Sequence, residues 1–294
     1  MDKKNNIISR MKIMYGDFSK SQKRISDFIQ NHYDKAAYMT AAKLGEEVGV
    51  SESTVVRFAS EMGYDGYPEF QRDLREIIKN KLTSVQRMEI TSTKFADKDI
   101  LTTVLTSDIE KLRQTLECVK PEYFTKCIDT VMNARRVYII GARTCFSMAS
   151  FLGFYLNLVS IDARLITTNS ASETFEQIFG VNDEDAVIAI SYPRYSRRTL
   201  NAVKYSHDKG SKIIAITDSE NSPIVKYSDH SLIARSDSSN FVDSLVAPLS
   251  IINALIVALV MRNREKVTEN FHALEGIWDE YRVYEKPVEK DDEE

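Results

Sequence analysis

Histidine and cysteine are scarce in this 294-residue chain, and basic residues do not outnumber acidic ones. Three cysteines, Cys118, Cys127 and Cys145, form an odd set without zinc spacing in a chain too long to depend on disulfide staples. A reducing cytoplasm, no metal and no cofactor are therefore expected. The four histidines, His32, His207, His230 and His272, offer few candidates for proton transfer. A formal net charge of −4 excludes a surface coated in cations, so any contact with nucleic acid must be local. Met1 to Glu89 carry fifteen Lys and Arg against thirteen Asp and Glu, which leaves the deficit to the remainder and above all to the tail "EKPVEKDDEE". That tail reads as a solvated, frayed end. The opening "MDKKNNIISRMKIMYG" lacks the apolar stretch of a signal peptide or anchor. The longest apolar run, "LVAPLSIINALIVALVM" from Leu245 to Met261, is interrupted by Pro248, Ser250 and Asn253 and falls about one or two turns short of a membrane span. It reads as a core or interface helix, and no membrane partner is expected.

A prior of about 150 residues per domain points to two domains. Across the first 80 residues the apolar positions recur at helical spacing: Ile25, Phe28 and Ile29, then Leu44 and Val48, then Val55, Phe58, Ala59 and Met62. The polar, Ser/Thr-rich stretch from Leu82 to Asp99 suits a connector, and the helical pattern "ILTTVLTSDIEKLRQTLECV" follows it. After Arg135 the pattern changes to short Val/Ile-rich runs, "RVYIIG", "ARLIT", "AVIAIS", "KIIAIT" and "SLIAR", separated by helix-length segments. Strands without polar alternation, joined by helices, predict a parallel sheet covered on both faces. The expected organisation is an all-α helix-turn-helix domain over residues 1–81, a linker and connecting helix over 82–120, an α/β domain over 121–268 and a terminal segment over 269–294.

In "TAAKLGEEVGVSESTVVRF", Thr40 can cap a helix to about Val48, Gly49 permits a turn, and Ser51 can cap a second helix ending near Met62. Stepping by 100° per residue sets Val55, Phe58, Ala59 and Met62 on one face and Ser53, Val56, Arg57 and Ser60 roughly opposite. The outer face is slim and nearly free of acids, which suits a helix whose N-terminal half enters a major groove. Ser53, Thr54 and Arg57 would address base edges or nearby phosphates. Thr40, Lys43 and Ser51 flank them, and Lys20, Lys23, Arg24 and Lys43 would attract the backbone regardless of sequence. One half-site offers few base contacts, so a two-fold dimer on a double-stranded operator is implied. The same geometry also describes an ordinary three-helix bundle with a polar face.

The segment "AAKLGEEVGVSESTVVRFASEMGYDGYPEF" resembles the DNA-binding domain of the RpiR family of bacterial transcription regulators. "FSKSQKRISDFIQNHYDKAAYMT" is similar to that family's first helix, and "GYDGYPEFQRDL" to its turn into the closing helix. The resemblance implies a following SIS (sugar isomerase) domain that binds phosphorylated sugars, and the strand pattern after Arg135 suits one. It also implies anion capture by hydroxyls and backbone N–H groups at helix N-termini, in three loops after successive strands.

This chain departs from the family pattern in those loops. "GARTC" keeps Gly141, has Arg143 where glycine is common and Cys145 where serine is expected, with Thr144 beside them. "SYPRYS" keeps Ser191 and Ser196 but has Pro193 and Arg194 in place of Ser-Gly. The third loop keeps Thr217. Arginine can grip phosphate or carboxylate through two parallel bonds, and Arg143, Arg194, Arg197 and Arg198 all offer that. The expected effector site comprises Gly141, Arg143, Thr144, Cys145, Ser191, Arg194, Ser196 and Thr217, with Cys145 read as a small buried side chain. The expected protein is a homodimeric or homotetrameric regulator without catalytic residues. The alternatives are a sugar-phosphate isomerase, with Glu173 or Glu176 approaching the ligand, and a DNA-binding protein whose second domain only dimerises.

Overall fold

The computed structural model describes residues 7–78, 82–96, 99–236 and 241–285. The chain divides into two compact units, Met1–Val104 with Asp237–Asp243, and Leu105–Ser236 with Ser244–Glu294.

The first unit is helical: α1 (Ile7–Met14), α2 (Lys20–Asn31), α3 (Tyr33–Ala36), α4 (Ala41–Val48), α5 (Glu52–Glu61), α6 (Tyr67–Ile78) and α7 (Ser84–Phe95). The next helix, α8 (Ile100–Cys118), begins in this unit and ends in the other. Ile25, Ile29, Leu44, Val55, Phe58, Phe70 and Leu74 are fully buried and form one core. Phe58 sits at its centre, edge-on to Phe18 at 5.3 Å and to Phe70 at 5.9 Å, a geometry that adds to plain burial. Phe28 is only half-buried, at the margin of that core.

The polar stretch after Leu82, expected as a connector, contains α7. Its serines and threonines serve the helix instead of interrupting it. Thr83 and Gln86 form a reciprocal capping box, while the hydroxyls of Thr91 and Thr93 donate to the carbonyls of Arg87 and Glu89 at 2.7 and 3.0 Å. Within the same unit Arg87 pairs with Asp243 at 3.1 Å, both largely shielded from water, and the Phe241 N–H donates to Thr91 Oγ1 at 2.8 Å.

The second unit continues with α9 (Pro121–Asn133), β1 (Val137–Gly141), α10 (Thr144–Leu158), β2 (Ala163–Leu165), α11 (Ala171–Ile178), β3 (Ala186–Ile190), α12 (Arg197–Asp208), β4 (Lys212–Thr217), β5 (His230–Ile233), α13 (Val246–Arg262) and α14 (Arg264–Glu280). The strands form one parallel sheet in the order β2-β1-β3-β4-β5, with Val137 beside Ala186 and Ala186 beside Lys212. Every residue of β1 and β3 is buried, as their unbroken apolar runs require. Helices α9, α10 and α13 cover one face, and α11 and α12 the other.

The apolar run from Leu245 to Met261 forms the helix expected of it, beginning at Val246. The Ser244 carbonyl accepts the Ser236 hydroxyl at 2.9 Å, and the Ser244 hydroxyl donates to Asp108. Among the described residues no single helix is long and apolar enough to cross a membrane, and α13 and α14 meet at 96°. Chain order reverses between β1 and β3, so the loops leaving their carboxyl ends diverge and open a crevice there.

Candidate DNA-facing helix and anion site

In the helical unit the caps form where the spacing places them. Thr40 Oγ1 accepts the Lys43 N–H at 3.2 Å, Ser51 Oγ accepts the Thr54 N–H at 3.3 Å, and Gly49 ends α4 in the left-handed conformation at φ 66°. Gly45 is a further requirement that helical periodicity did not single out, because a Cβ there would lie 2.8 Å from the Val50 carbonyl oxygen. The available signal was a glycine inside a helix, which costs about 1 kcal/mol against alanine and is kept for packing.

These contacts fix α5 with Val55, Phe58 and Ala59 inward and Ser53, Val56, Arg57 and Ser60 outward, as the helical wheel predicts. At its N-terminus the Ser51 hydroxyl lies 2.9 Å from that of Ser53 and 2.8 Å from that of Thr54, a cluster that can donate to or accept from a polar edge. Arg57 is exposed and makes no hydrogen bond or ion pair among the described residues. Lys43 differs, since it binds Glu46 at 2.9 Å, and that hydrogen bond raises its pKa. It must leave Glu46 to reach a phosphate. Arg24 lies against Gly49 and puts a cation on the turn between α4 and α5, Lys20 is exposed, and Lys23 sits 5.6 Å from the Tyr15 ring centre.

In the sheet unit all eight expected anion-site residues lie at or just beyond the carboxyl ends of β1, β3 and β4, but their side chains do not all face outward. Gly141 allows α10 to start tightly, since a Cβ would meet the Cys145 carbonyl oxygen at 2.5 Å. Arg143 takes φ 57°, ψ −125° where the family pattern has glycine, a conformation costing an ordinary side chain about 1–3 kcal/mol. Arg143, Thr144 and Arg194 are exposed, and Ser196 caps α12 by accepting the Thr199 N–H at 3.4 Å. Thr217, expected as a ligand hydroxyl, is fully buried and donates to the Ser191 carbonyl at 2.6 Å, pinning β4 to β3. Ser191 is buried beside it and Cys145 is buried at the start of α10, so these three stand behind the exposed groups.

The expected site took Arg194 from its loop and left out Arg197 and Arg198; the fold adds Arg198 to the crevice. Arg198, half-buried, donates from Nη2 to the Gly141 carbonyl at 3.3 Å across the crevice, and burial lowers its pKa. Its Nη1 and the Tyr192 hydroxyl are enclosed without a hydrogen-bond partner among the described residues. Burial, reinforced by the Asp218 carboxylate, pushes the Tyr192 phenol well above its usual pKa, so it stays neutral. Tyr195 donates to Asp218 Oδ1 at 2.8 Å, Arg235 donates to the Asp218 carbonyl at 3.1 Å, and the Arg235 N–H donates to Thr115 of α8 at 2.8 Å.

Residues 5–81 match the helix-turn-helix domain of the rpiR family, and residues 130–258 match the SIS domain. The chain belongs to the RpiR family of transcription regulators. An HTH-type transcriptional regulator of Clostridium perfringens is 28% identical over 218 residues, covering 73% of this chain and 76% of its own. One from Haemophilus influenzae is 22% identical over 275 residues, covering 91% and 94%. Among solved structures, the sugar isomerase domain of an RpiR transcription factor from Sphaerobacter thermophilus is similar at TM-score 0.58 and 27% identity, over 60% of this chain and 98% of that one. NanR of Vibrio vulnificus, complexed with ManNAc-6P, is similar at TM-score 0.57 and 18% identity over 92% and 99%, a likeness of fold alone.

SIS folds also occur in isomerases, so the placement of acid–base groups matters in this RpiR chain. His207 lies in the last turn of α12, and His230 opens β5 at its amino end, opposite the crevice. Glu173 lies in the first turn of α11, where it accepts the Thr168 hydroxyl, and Glu176 is exposed one turn on.

Proposed function

We propose that this protein reads an operator with the outer face of α5 and senses an anionic metabolite, best matched by a phosphorylated sugar, in its SIS unit. The observation that carries the reading is the capped, rigid α5 with an unpaired Arg57 beyond a cluster of three hydroxyls. Arg57, Ser53 and Thr54 address base edges or adjacent phosphates. Thr40 and Ser51 hold the duplex register from the neighbouring turn, Lys43 stands beside them but is engaged by Glu46 and contributes little, and Arg24 adds sequence-independent attraction. A homodimer or homotetramer in the cytoplasm supplies the second half-site.

In the SIS unit Arg143, Thr144, Arg194, Ser196 and Arg198 receive the anion over the Gly141 backbone, while Cys145, Ser191 and Thr217 support them from behind. An anion settling beside Arg198 would occupy its vacant Nη1 valence and displace the loop that carries Tyr195. Tyr195, Asp218 and Arg235 join that loop to Thr115 of α8. That helix continues into residues of the DNA-binding unit, which supports coupling through α8. The ManNAc-6P held by NanR, which shares the fold, supports a sugar phosphate. No turnover is expected, because the histidines of the sheet lie away from the crevice.

The test is the affinity of the full-length protein for duplexes from its own genomic neighbourhood, titrated with a panel of sugar phosphates. One of them is expected to shift operator affinity by about 5- to 150-fold, the usual range of allosteric coupling. DNA binding indifferent to every anion leaves the SIS unit as a dimeriser, and turnover of a sugar phosphate makes it an isomerase.

A further inference from the structure

One buried oxygen in the sheet unit has no role in the packing around it. Tyr192 stands two residues beyond Ile190, which pairs with Gly141 across β1 and β3. Its ring is 6% exposed and belongs to the core beneath α10, yet its hydroxyl makes no hydrogen bond among the described residues. A buried tyrosine ordinarily finds a partner for its oxygen, and a buried polar group left without one weakens the fold that encloses it. Phenylalanine would fill the same space without that cost. The hydroxyl therefore needs a reason outside the core.

A second unpartnered donor lies at the same strand ends. Arg198 reaches from α12, on the other face of the sheet, to the Gly141 carbonyl at 3.3 Å through Nη2, and its enclosed Nη1 has no hydrogen-bond partner among the described residues. Gly141 lies against the first turn of α10, where a Cβ would meet the Cys145 carbonyl oxygen, and Cys145 is among the groups whose charge acts on the Tyr192 phenol. Tyr192 and Arg198 thus approach the end of β1 from opposite faces of the sheet.

We propose that Tyr192 is a specificity-determining residue of the anion site, its hydroxyl donating to one oxygen of the ligand's anionic head while Arg198 Nη1 donates to another. The inference rests on the sensing role proposed above for this unit and names the group that selects the ligand. Both atoms offer protons, so the head they fit has two acceptor oxygens on one centre, a phosphate or a carboxylate. Burial and the Asp218 carboxylate keep the phenol protonated, so it remains a donor. Arg143 and Arg194 are exposed, and a contact made in water discriminates poorly. Tyr192 and Arg198 meet the anion away from water, where a missing oxygen leaves a donor unpaired.

The test is calorimetric titration of the full-length protein with ManNAc-6P, the common hexose monophosphates, inorganic phosphate, gluconate and uncharged glucose, for wild type, Tyr192→Phe, Arg198→Lys and the double variant. Wild type is expected to bind at least one charged probe and to ignore glucose, and the preference between phosphates and gluconate identifies the head. Tyr192→Phe is expected to weaken that probe about 10-fold or more, the worth of a hydrogen bond to a charged group, while the melting temperature of the unliganded protein stays the same or rises. Because the two donors hold one group, the double variant is expected to lose less than the product of the two single losses.

A Tyr192→Phe protein that fails to fold or melts several degrees lower would overturn the inference, since the oxygen would then serve the core. Full binding of the charged probe by Tyr192→Phe would also overturn it, while leaving the sensing role of the unit standing. A wild type indifferent to every charged probe would contradict the sensing role and this inference with it.

Discussion

In the helical unit Thr40 and Ser51 spend their hydroxyls on helix caps and leave the outer face of α5 clear; in the sheet unit Thr217 spends its hydroxyl on the Ser191 carbonyl, inside the fold. The two units thus use the same side-chain chemistry for opposite ends. Capping fixes the outer face of α5 in advance, so little ordering would remain to be done on binding a duplex. Around the crevice, inward hydroxyls hold the strands together, and the arginines proposed to meet an anion are exposed, one of them on a strained backbone. The proposed function thus pairs a preformed reader with a sensor whose loops adjust.

Four substitutions press on that contrast, taken from the largest expected effect. Gly141→Val drives a side chain into the backbone at Cys145, 2.5 Å from its oxygen. It is expected to cost the sheet unit about 3 kcal/mol or more. Urea unfolding followed by the single tryptophan, Trp278, reports on this unit, and an unchanged midpoint would mean that α10 can retreat. Arg143→Gly removes the strain at φ 57° and is expected to stabilise the same unit by about 1 kcal/mol while weakening the response to sugar phosphates. A destabilised variant with full effector response would show that the arginine serves the fold instead of the ligand.

Ser51→Ala removes a cap from α5 and should cost the helical unit about 1 kcal/mol, with a matching loss of DNA affinity as the hydroxyl cluster dissolves. Circular dichroism melts and anisotropy titrations measure the two effects. Lys43→Ala should change operator affinity by less than about 0.5 kcal/mol, because its ammonium already serves Glu46 on an exposed surface. A larger loss would mean that the lysine abandons Glu46 on the duplex.

Much of this was legible in the sequence because its cause is local. A cap depends on residues three apart, a helical face on 100° steps, and a buried parallel strand on an unbroken apolar run. The turn at Gly49, the inward set around Phe58 and all five strands followed from such rules. What the sequence did not reveal depends on partners far along the chain. Thr217 turns inward because Ser191 lies 26 residues away across the β3–β4 pairing, and Arg198 is distinguished from its neighbours by a carbonyl 57 residues earlier. The helix α7 was hidden for a different reason, since serine and threonine favour both caps and loops and only the Thr83–Gln86 box decides between them.

The most direct measurement is the ratio of affinities for an operator duplex and an unrelated duplex, taken for wild type and for Arg57→Ala at one fixed salt concentration. The account predicts that Arg57→Ala lowers this ratio by about 10- to 100-fold, the worth of a good base contact, while the melting of the helical unit stays the same. An unchanged ratio in a folded variant would contradict the claim that the outer face of α5 reads DNA.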